Sequence, residues 1–247
     1  MSEQRLMKCE TIDDDENAFF SKVSPIWWDM SLQFSTMHKV GAVTYKYIRE
    51  IFAFNGVKED ENVEIIDVGC GGGIISEAIA RHGYTVTGID VNEDLIKVAK
   101  EHSALDKTLT NLTYYHTSAN RQAYRDPEKY DVVILAYVLQ HVKKHEILLR
   151  DCVKLLKPGG LIFIAAIEKT FKSWIILRII LERIKRIFPI GAHKWRNFIK
   201  RSAVENILEK YGCTIINRSG VRYNDIEWEA CKNIDALYIL CARKNHN

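Results

Sequence analysis

A chain of 247 residues, 47% of them hydrophobic, can bury the core of one α/β domain with some decoration and requires no second domain. Its 35 basic and 32 acidic residues leave a formal charge of +3, too small a surplus to argue for a nucleic-acid partner. The six cysteines (Cys9, Cys70, Cys152, Cys213, Cys231 and Cys241) lack any Cys-x-x-Cys or Cys/His ligand spacing, so neither a disulfide nor a zinc site is expected; no apolar run is long enough to span a bilayer.

The predicted organisation is a single domain over 1–247: a helical cap over 1–55, a cofactor-binding core over 63–167 and an insertion over 171–195. Asp13-Asp14-Asp15-Glu16 is the opposite of a basic, acid-poor presequence, and no import signal is expected. Residues 63–68 form a short β-branched run that reads as a buried strand, and 74–82 carry apolar residues at helical spacing. Gly69-Cys70-Gly71-Gly72-Gly73 therefore occupy a strand-to-helix turn. A second strand over 84–90 ends on Asp90; a helix over 93–102 and strands over 112–116 and 130–136 follow. A helix over 145–156 is stopped by Pro158, and Gly159-Gly160 turn the chain into a strand over 161–167. A helix over 201–211 and strands over 213–220 and 235–242 complete the sheet, the last antiparallel at an edge. The alternation predicts a doubly wound, mostly parallel α/β sheet of Rossmann-like type.

The glycines and Asp90 carry the chemistry. Glycine at 69 and 71 lets the backbone bend sharply and a ligand approach closer than a Cβ would permit, while a carboxylate at the end of the second strand can accept hydrogen bonds from both ribose hydroxyls. A dinucleotide fingerprint needs Gly-x-Gly-x-x-Gly, but the sixth position here is Ile74. The Gly-x-Gly-x-Gly spacing favours S-adenosylmethionine over NAD, and no Gly-Lys-Ser/Thr follows for a phosphate loop. The bland alternative is a tight turn with no ligand. Residues after the fourth strand, from Ala136 on, face the reactive end of such a cofactor. Among them His141 is the candidate general base for a phenol or thiol; a capping or wall-lining histidine is the competing reading. Ser118 and Ala119 are placed to border an adenine, and Asp131 reads as structural.

Between 171 and 190, Trp174, Leu177, Leu181, Ile184 and Phe188 recur at helical spacing, with Arg178, Glu182, Lys185 and Arg186 on another face. This basic amphipathic segment predicts peripheral attachment to an anionic membrane surface; a lid packed on the sheet is the structural alternative.

The chain resembles the ubiquinone-biosynthesis O-methyltransferases, class I enzymes that methylate ring hydroxyls of polyprenylated catechol precursors. The residues that carry the resemblance include Trp27-Trp28-Asp29, Met37-His38, Asp67-Val68-Gly69-Cys70-Gly71-Gly72-Gly73, Val86-Thr87-Gly88-Ile89-Asp90, Tyr130-Asp131-Val132-Val133, His141-Val142, Lys157-Pro158-Gly159-Gly160, Lys172-Ser173-Trp174 and Phe198-Ile199-Lys200. The resemblance implies S-adenosylmethionine contacts at Gly69, Asp90 and Ala136. It also implies a lipophilic quinone precursor as acceptor, an insertion that meets the membrane, and other quinone-pathway proteins as partners. It further implies residence on the cytoplasmic face of the membrane or, alternatively, the matrix side of the mitochondrial inner membrane.

Departures cluster at the acceptor end. Where the family has Glu-x-x-Glu-His, proposed to hold a divalent metal, this chain has Tyr137-Val138-Leu139-Gln140-His141, a poor donor set for a hard cation, and no metal ligand is assigned. The family's Asn-Pro-Leu-Arg is Gly41-Ala42-Val43-Thr44, and Glu168 replaces an asparagine. Three readings follow: a divergent O-methyltransferase of the ubiquinone pathway with His141 as base, a methyltransferase with another small-molecule acceptor, or a non-catalytic paralogue acting as a scaffold.

Overall fold

The computed structural model describes residues 11, 13–31, 34–60, 62–174, 197–224, 227–233 and 236–246. Helix α1 (Asp14–Val23) starts on Asp13, whose side chain accepts from the Asp15 amide at 3.2 Å, and its first turn carries Asp14, Asp15 and Glu16, which suits the positive helix end. A 3-10 turn at Ser24–Ile26 leads on towards the long α2 (Ser35–Phe54). Buried Thr36, Val40, Thr44, Tyr47, Ile48, Ile51 and Phe52 recur at steps of three and four, so one stripe of α2 packs on the sheet.

The core then alternates as its sequence periods dictate: β1 (Glu64–Val68), α3 (Ile74–Ala80), β2 (Thr85–Asp90), α4 (Glu93–Ser103), β3 (Leu112–His116), α5 (Ala119–Arg125), β4 (Tyr130–Ala136), a 3-10 turn (Leu139–His141), α6 (His145–Leu155) and β5 (Leu156–Ile167). After a helical turn at Phe171–Trp174 come α7 (Arg201–Lys210), β6 (Cys213–Tyr223), β7 (Trp228–Cys231) and β8 (Leu237–Lys244). The strands form one sheet in the order β3-β2-β1-β4-β5-β8-β6-β7, with β1 to β5 parallel and β8 antiparallel to both β5 and β6. Both faces are covered. Ile66, Val68, Val133, Leu135, Ile162 and Ile164 enter one core, and their neighbours Ile65, Val132, Ile134, Leu161, Phe163 and Ala165 enter the other. The strand order reverses between β1 and β4, and the crevice at their carboxyl ends is where such sheets bind ligands.

The doubly wound, mostly parallel fold expected from the sequence is present, with local differences. Strand β8 is antiparallel as expected but lies inside the sheet, and the edge belongs to the four-residue β7. Helix α6 ends at Leu155, and Leu156 already pairs with Tyr130, so Pro158-Gly159-Gly160 form an irregularity within β5 and do not connect helix to strand. Gly159 has φ +80°, and the register shifts between Tyr130 and Val132, as a bulge requires. Asp131 is structural as anticipated: it accepts from the Glu64 amide and from Lys157 Nζ, each at 2.9 Å, tying β1, β4 and β5 together. The amphipathic insertion expected over 171–195 lies outside the described residues from 175 onward. Among the described residues no helix is long and apolar enough to cross a membrane.

Candidate functional site

The glycine turn after β1 is strapped to the end of β2. Gly69 and Cys70 donate their amides to Ile89 O at 2.7 and 3.1 Å, and Gly71 donates to Asp90 Oδ2 at 2.9 Å. Asn92 donates its amide to Asp90 Oδ1 at 2.8 Å, and its side chain caps α4 by accepting from Leu95 at 2.9 Å. Each Asp90 oxygen thus accepts one backbone N–H and keeps a further lone pair. Burial raises the Asp90 carboxyl above the usual range, against the pull of the amides of Asn92, Gly71 and Val91 and of nearby His116. Gly69 has φ +72°, and a Cβ there would lie inside the Val138 side chain; one on Gly72 would enter the Trp27 ring. The loop therefore has no room for side chains of its own.

Asp67, at the end of β1, is the second carboxylate. It is 2% exposed, and Ser76 Oγ donates to it at 2.6 Å. Burial pushes its carboxyl up to about 7, with Asp90 adding to the rise and Ser76 opposing it.

Beyond β4 the chain turns sharply. Ala136 is half-buried, and Tyr137 follows at φ +60°, a conformation a tyrosine rarely adopts. The turn is held by the Tyr137 amide on Ala165 O at 2.7 Å and by Gln140 Nε2 donating to Tyr137 O at 2.7 Å. The Tyr137 hydroxyl lies 2.8 Å from Thr44 Oγ1 on α2, so two of the departures noted above meet each other. Burial raises the Tyr137 phenol well above its usual range, and it stays protonated. The 3-10 turn ends on His141, whose Nδ1 lies 2.8 Å from Glu16 Oε2 and whose ring meets Phe20 edge-on at 4.9 Å. His145, in contrast, is committed to the carbonyls of Leu139 and Asn197 at 2.9 and 3.1 Å.

These parts enclose one cavity of about 270 Å³. Gly69, Gly71, Asp90, Ala136 and His141, the five residues expected at the site, all line it, as do Ser118 and Ala119. Phe19, Phe20, Val23, Phe34, Met37 and Val40 from the N-terminal segment give it an apolar flank, and Asp13, Glu16 and Asn17 from the same segment line it too. The cradle fits a nucleoside-type cofactor: glycines where a Cβ would collide, and a carboxylate with open lone pairs at the strand end. The donors at 137–141 do not fit a hard divalent cation, since Tyr137 is neutral and held by Thr44, Gln140 is uncharged and His141 is paired with Glu16. Among the described residues no group of three or more His, Cys, Asp or Glu side chains could hold a metal ion. Glu168 is accounted for by packing, its carboxylate accepting from the Arg201 amide at the start of α7 at 3.2 Å.

Sequence reasoning missed Glu16 and the apolar wall. The acidic run 13–16 reads only as the opposite of a presequence, and the meeting of Glu16 with His141 bridges 125 residues and leaves no local signal.

Residues 66–164 match the family model described as a methyltransferase domain. The chain is 35% identical to the ubiquinone biosynthesis O-methyltransferase of Colwellia psychrerythraea, the match covering 94% of this chain and 97% of that protein. It is 32% identical to the protein of that name from Hydrogenovibrio crunogenus, with 99% of each covered. The fold is similar to that of the magnesium protoporphyrin IX methyltransferase of Synechocystis PCC 6803, solved with bound SAH, at TM-score 0.68 and 20% identity, with 94% and 97% of the two chains covered. With its glycine cradle, Asp90 and matching length, the chain belongs to the ubiquinone biosynthesis O-methyltransferase family and is an S-adenosylmethionine-dependent methyltransferase.

Proposed function

We propose that this enzyme methylates a phenolic hydroxyl of a polyprenylated, catechol-type ubiquinone precursor at a membrane surface. The observation that carries this reading is the composition of the cavity: polar groups for a nucleoside at the β1–β2 end, His141 in its wall, and aromatic and aliphatic side chains from α1 and α2 opposite. An apolar wall of that kind suits a lipophilic ring.

In this reading Gly69 and Gly71 admit the cofactor close to the backbone, Asp90 accepts its ribose hydroxyls, and Ala136 borders its reactive end. When bound, S-adenosylmethionine supplies the electrophilic methyl for an in-line displacement. His141 removes the acceptor's proton at Nε2. The apolar wall holds the ring and keeps water from the reacting oxygen, so positioning supplies much of the rate. No step requires a divalent cation.

The basic amphipathic segment within 171–195 supports peripheral binding to anionic lipid, on the cytoplasmic face of a bacterial membrane or the matrix side of the mitochondrial inner membrane. Methyl transfer from labelled S-adenosylmethionine to a panel of prenylated catechols, with and without chelator, tests the acceptor; turnover that survives chelation is expected, and a blank across the panel defeats the assignment. Because Thr44, Tyr137 and Gln140 depart from the family pattern at the acceptor end, the panel includes simple phenols, amines and thiols. Methylation confined to one of those favours an acceptor outside the quinone pathway. Co-sedimentation with anionic liposomes tests attachment, and equal recovery in the supernatant with and without lipid rules it out.

A further inference from the structure

Glu16 stands 125 residues before His141 and belongs to a different element, yet its carboxylate lies 2.8 Å from the imidazole. It is 7% exposed, a burial that carboxylates reach only with a partner. The helix that carries it is itself fixed. Asn92 Nδ2, at the start of α4, donates to Asn17 O, Asn17 Oδ1 and Ser21 Oγ at 2.9, 2.8 and 3.0 Å. Phe20, one turn beyond Glu16 on α1, sets its ring against the imidazole at an interplanar angle of 84°. Beside the pair, among the described residues, Asp13 at the cap of α1 and Lys143 after the 3-10 turn face each other at 3.4 Å and offset one another.

We infer that Glu16 is the positioning residue of the proton-transfer machinery, which rests on the reading of His141 as base. A carboxylate accepts and does not donate, so the shared proton sits on Nδ1 and the ring's lone pair is on Nε2. In the step it serves, the acceptor oxygen bonds the methyl carbon as the carbon–sulfur bond breaks, its electron pair remaining on sulfur. The hydroxyl proton passes to Nε2. Positive charge thus moves from the sulfonium to an imidazolium that Glu16 faces directly, and the proton leaves to solvent after turnover. This carboxylate–imidazole pair does for the acceptor's proton what the missing carboxylates at 137 and 140 cannot do through a cation.

The test compares Glu16→Gln and Glu16→Asp with the native enzyme. Gln keeps the shape and removes the charge. Cofactor affinity by calorimetry should stay within about threefold, while kcat falls by about tenfold or more and the acidic limb of the kcat/KM profile moves to lower pH by about one unit. Asp restores the carboxylate and should recover part of kcat and move the limb back. Imidazole ¹⁵N spectra should report Nδ1–H for His141 in the native protein and a tautomer mixture in Glu16→Gln. If Glu16→Gln matches the native kcat and pH profile while His141→Ala is inactive, the role of Glu16 is overturned and the base reading survives. A fall in kcat with an unmoved pH limb and no recovery by Asp also overturns it, since that marks a purely structural contact. Native turnover in His141→Ala removes the underlying reading instead.

Discussion

Tyr137 donates its hydroxyl to Thr44 at 2.8 Å, and Thr44 in turn donates to Val40 O at 3.0 Å, so one proton relay joins α2 to the turn after β4. The direction follows because a hydroxyl has a single proton to give. Removing either partner is not equivalent. Thr44→Ala strands a buried phenol and should destabilise by about 1–3 kcal/mol in urea unfolding, whereas Tyr137→Phe leaves Thr44 still bonded to Val40 and should cost about 1 kcal/mol. In the Tyr137→Phe background Thr44→Ala should then be much milder; strictly additive effects would show that the relay is not formed.

Gly69 should tolerate no side chain. Alanine there is strained at φ +72° and also meets Val138, so Gly69→Ala should destabilise by about 1–3 kcal/mol and abolish measurable cofactor binding. Adding Val138→Ala relieves the collision alone. Thermal melts of the double variant should recover part of the loss, and full recovery would mean that backbone strain is absent.

Asp67 makes a pH prediction whose sign is unusual for a carboxylate. Its folded value of about 7 lies above the ordinary carboxylate range, so the folded state holds a proton that the unfolded chain has released. Stability is therefore lost as pH rises from about 4 to about 7 and stays lower above that. Asp67→Asn can still accept from Ser76 and does not titrate. Its melting temperature should lie above that of the native protein at pH 8 and approach it near pH 4, and an unchanged slope between those values would contradict the assignment.

Asp90→Ala removes the acceptor of the Gly71 and Asn92 amides and the proposed ribose partner together. Cofactor binding should weaken by about 10- to 100-fold, the scale of one or two charge-assisted hydrogen bonds. Unchanged affinity by calorimetry would place the ribose elsewhere.

His141→Ala should lower turnover by about 100-fold or more with little change in cofactor affinity, in line with general-base contributions. A loss below about threefold assigns the imidazole to the cavity wall.

Much of the architecture was legible because its signals are local. The β-branched run before Gly69, the helical period after it and Asp90 closing the next strand all report through neighbours a few residues away. Helix α5 was not legible: its seven residues bury only Ala119, Gln122 and Ala123, and Ser118 at its N-cap is a weak signal alone. Strand β7 pairs four residues with β6 and reads as loop without that partner. The interior place of β8 was equally hidden, because an apolar run such as 237–242 predicts a strand but says nothing of which neighbour it pairs with.

By itself the sequence determined the fold class, the cradle and the carboxylate at the end of β2, because glycine torsions and strand and helix periods are properties of adjacent residues. Only the tertiary structure decided which distant side chains meet: Glu16 with His141 across 125 residues, and Thr44 with Tyr137 across 93. A hydrogen bond needs its two atoms within about 3 Å, and for residues so far apart in the chain that distance is set by how α1 and α2 pack over the sheet.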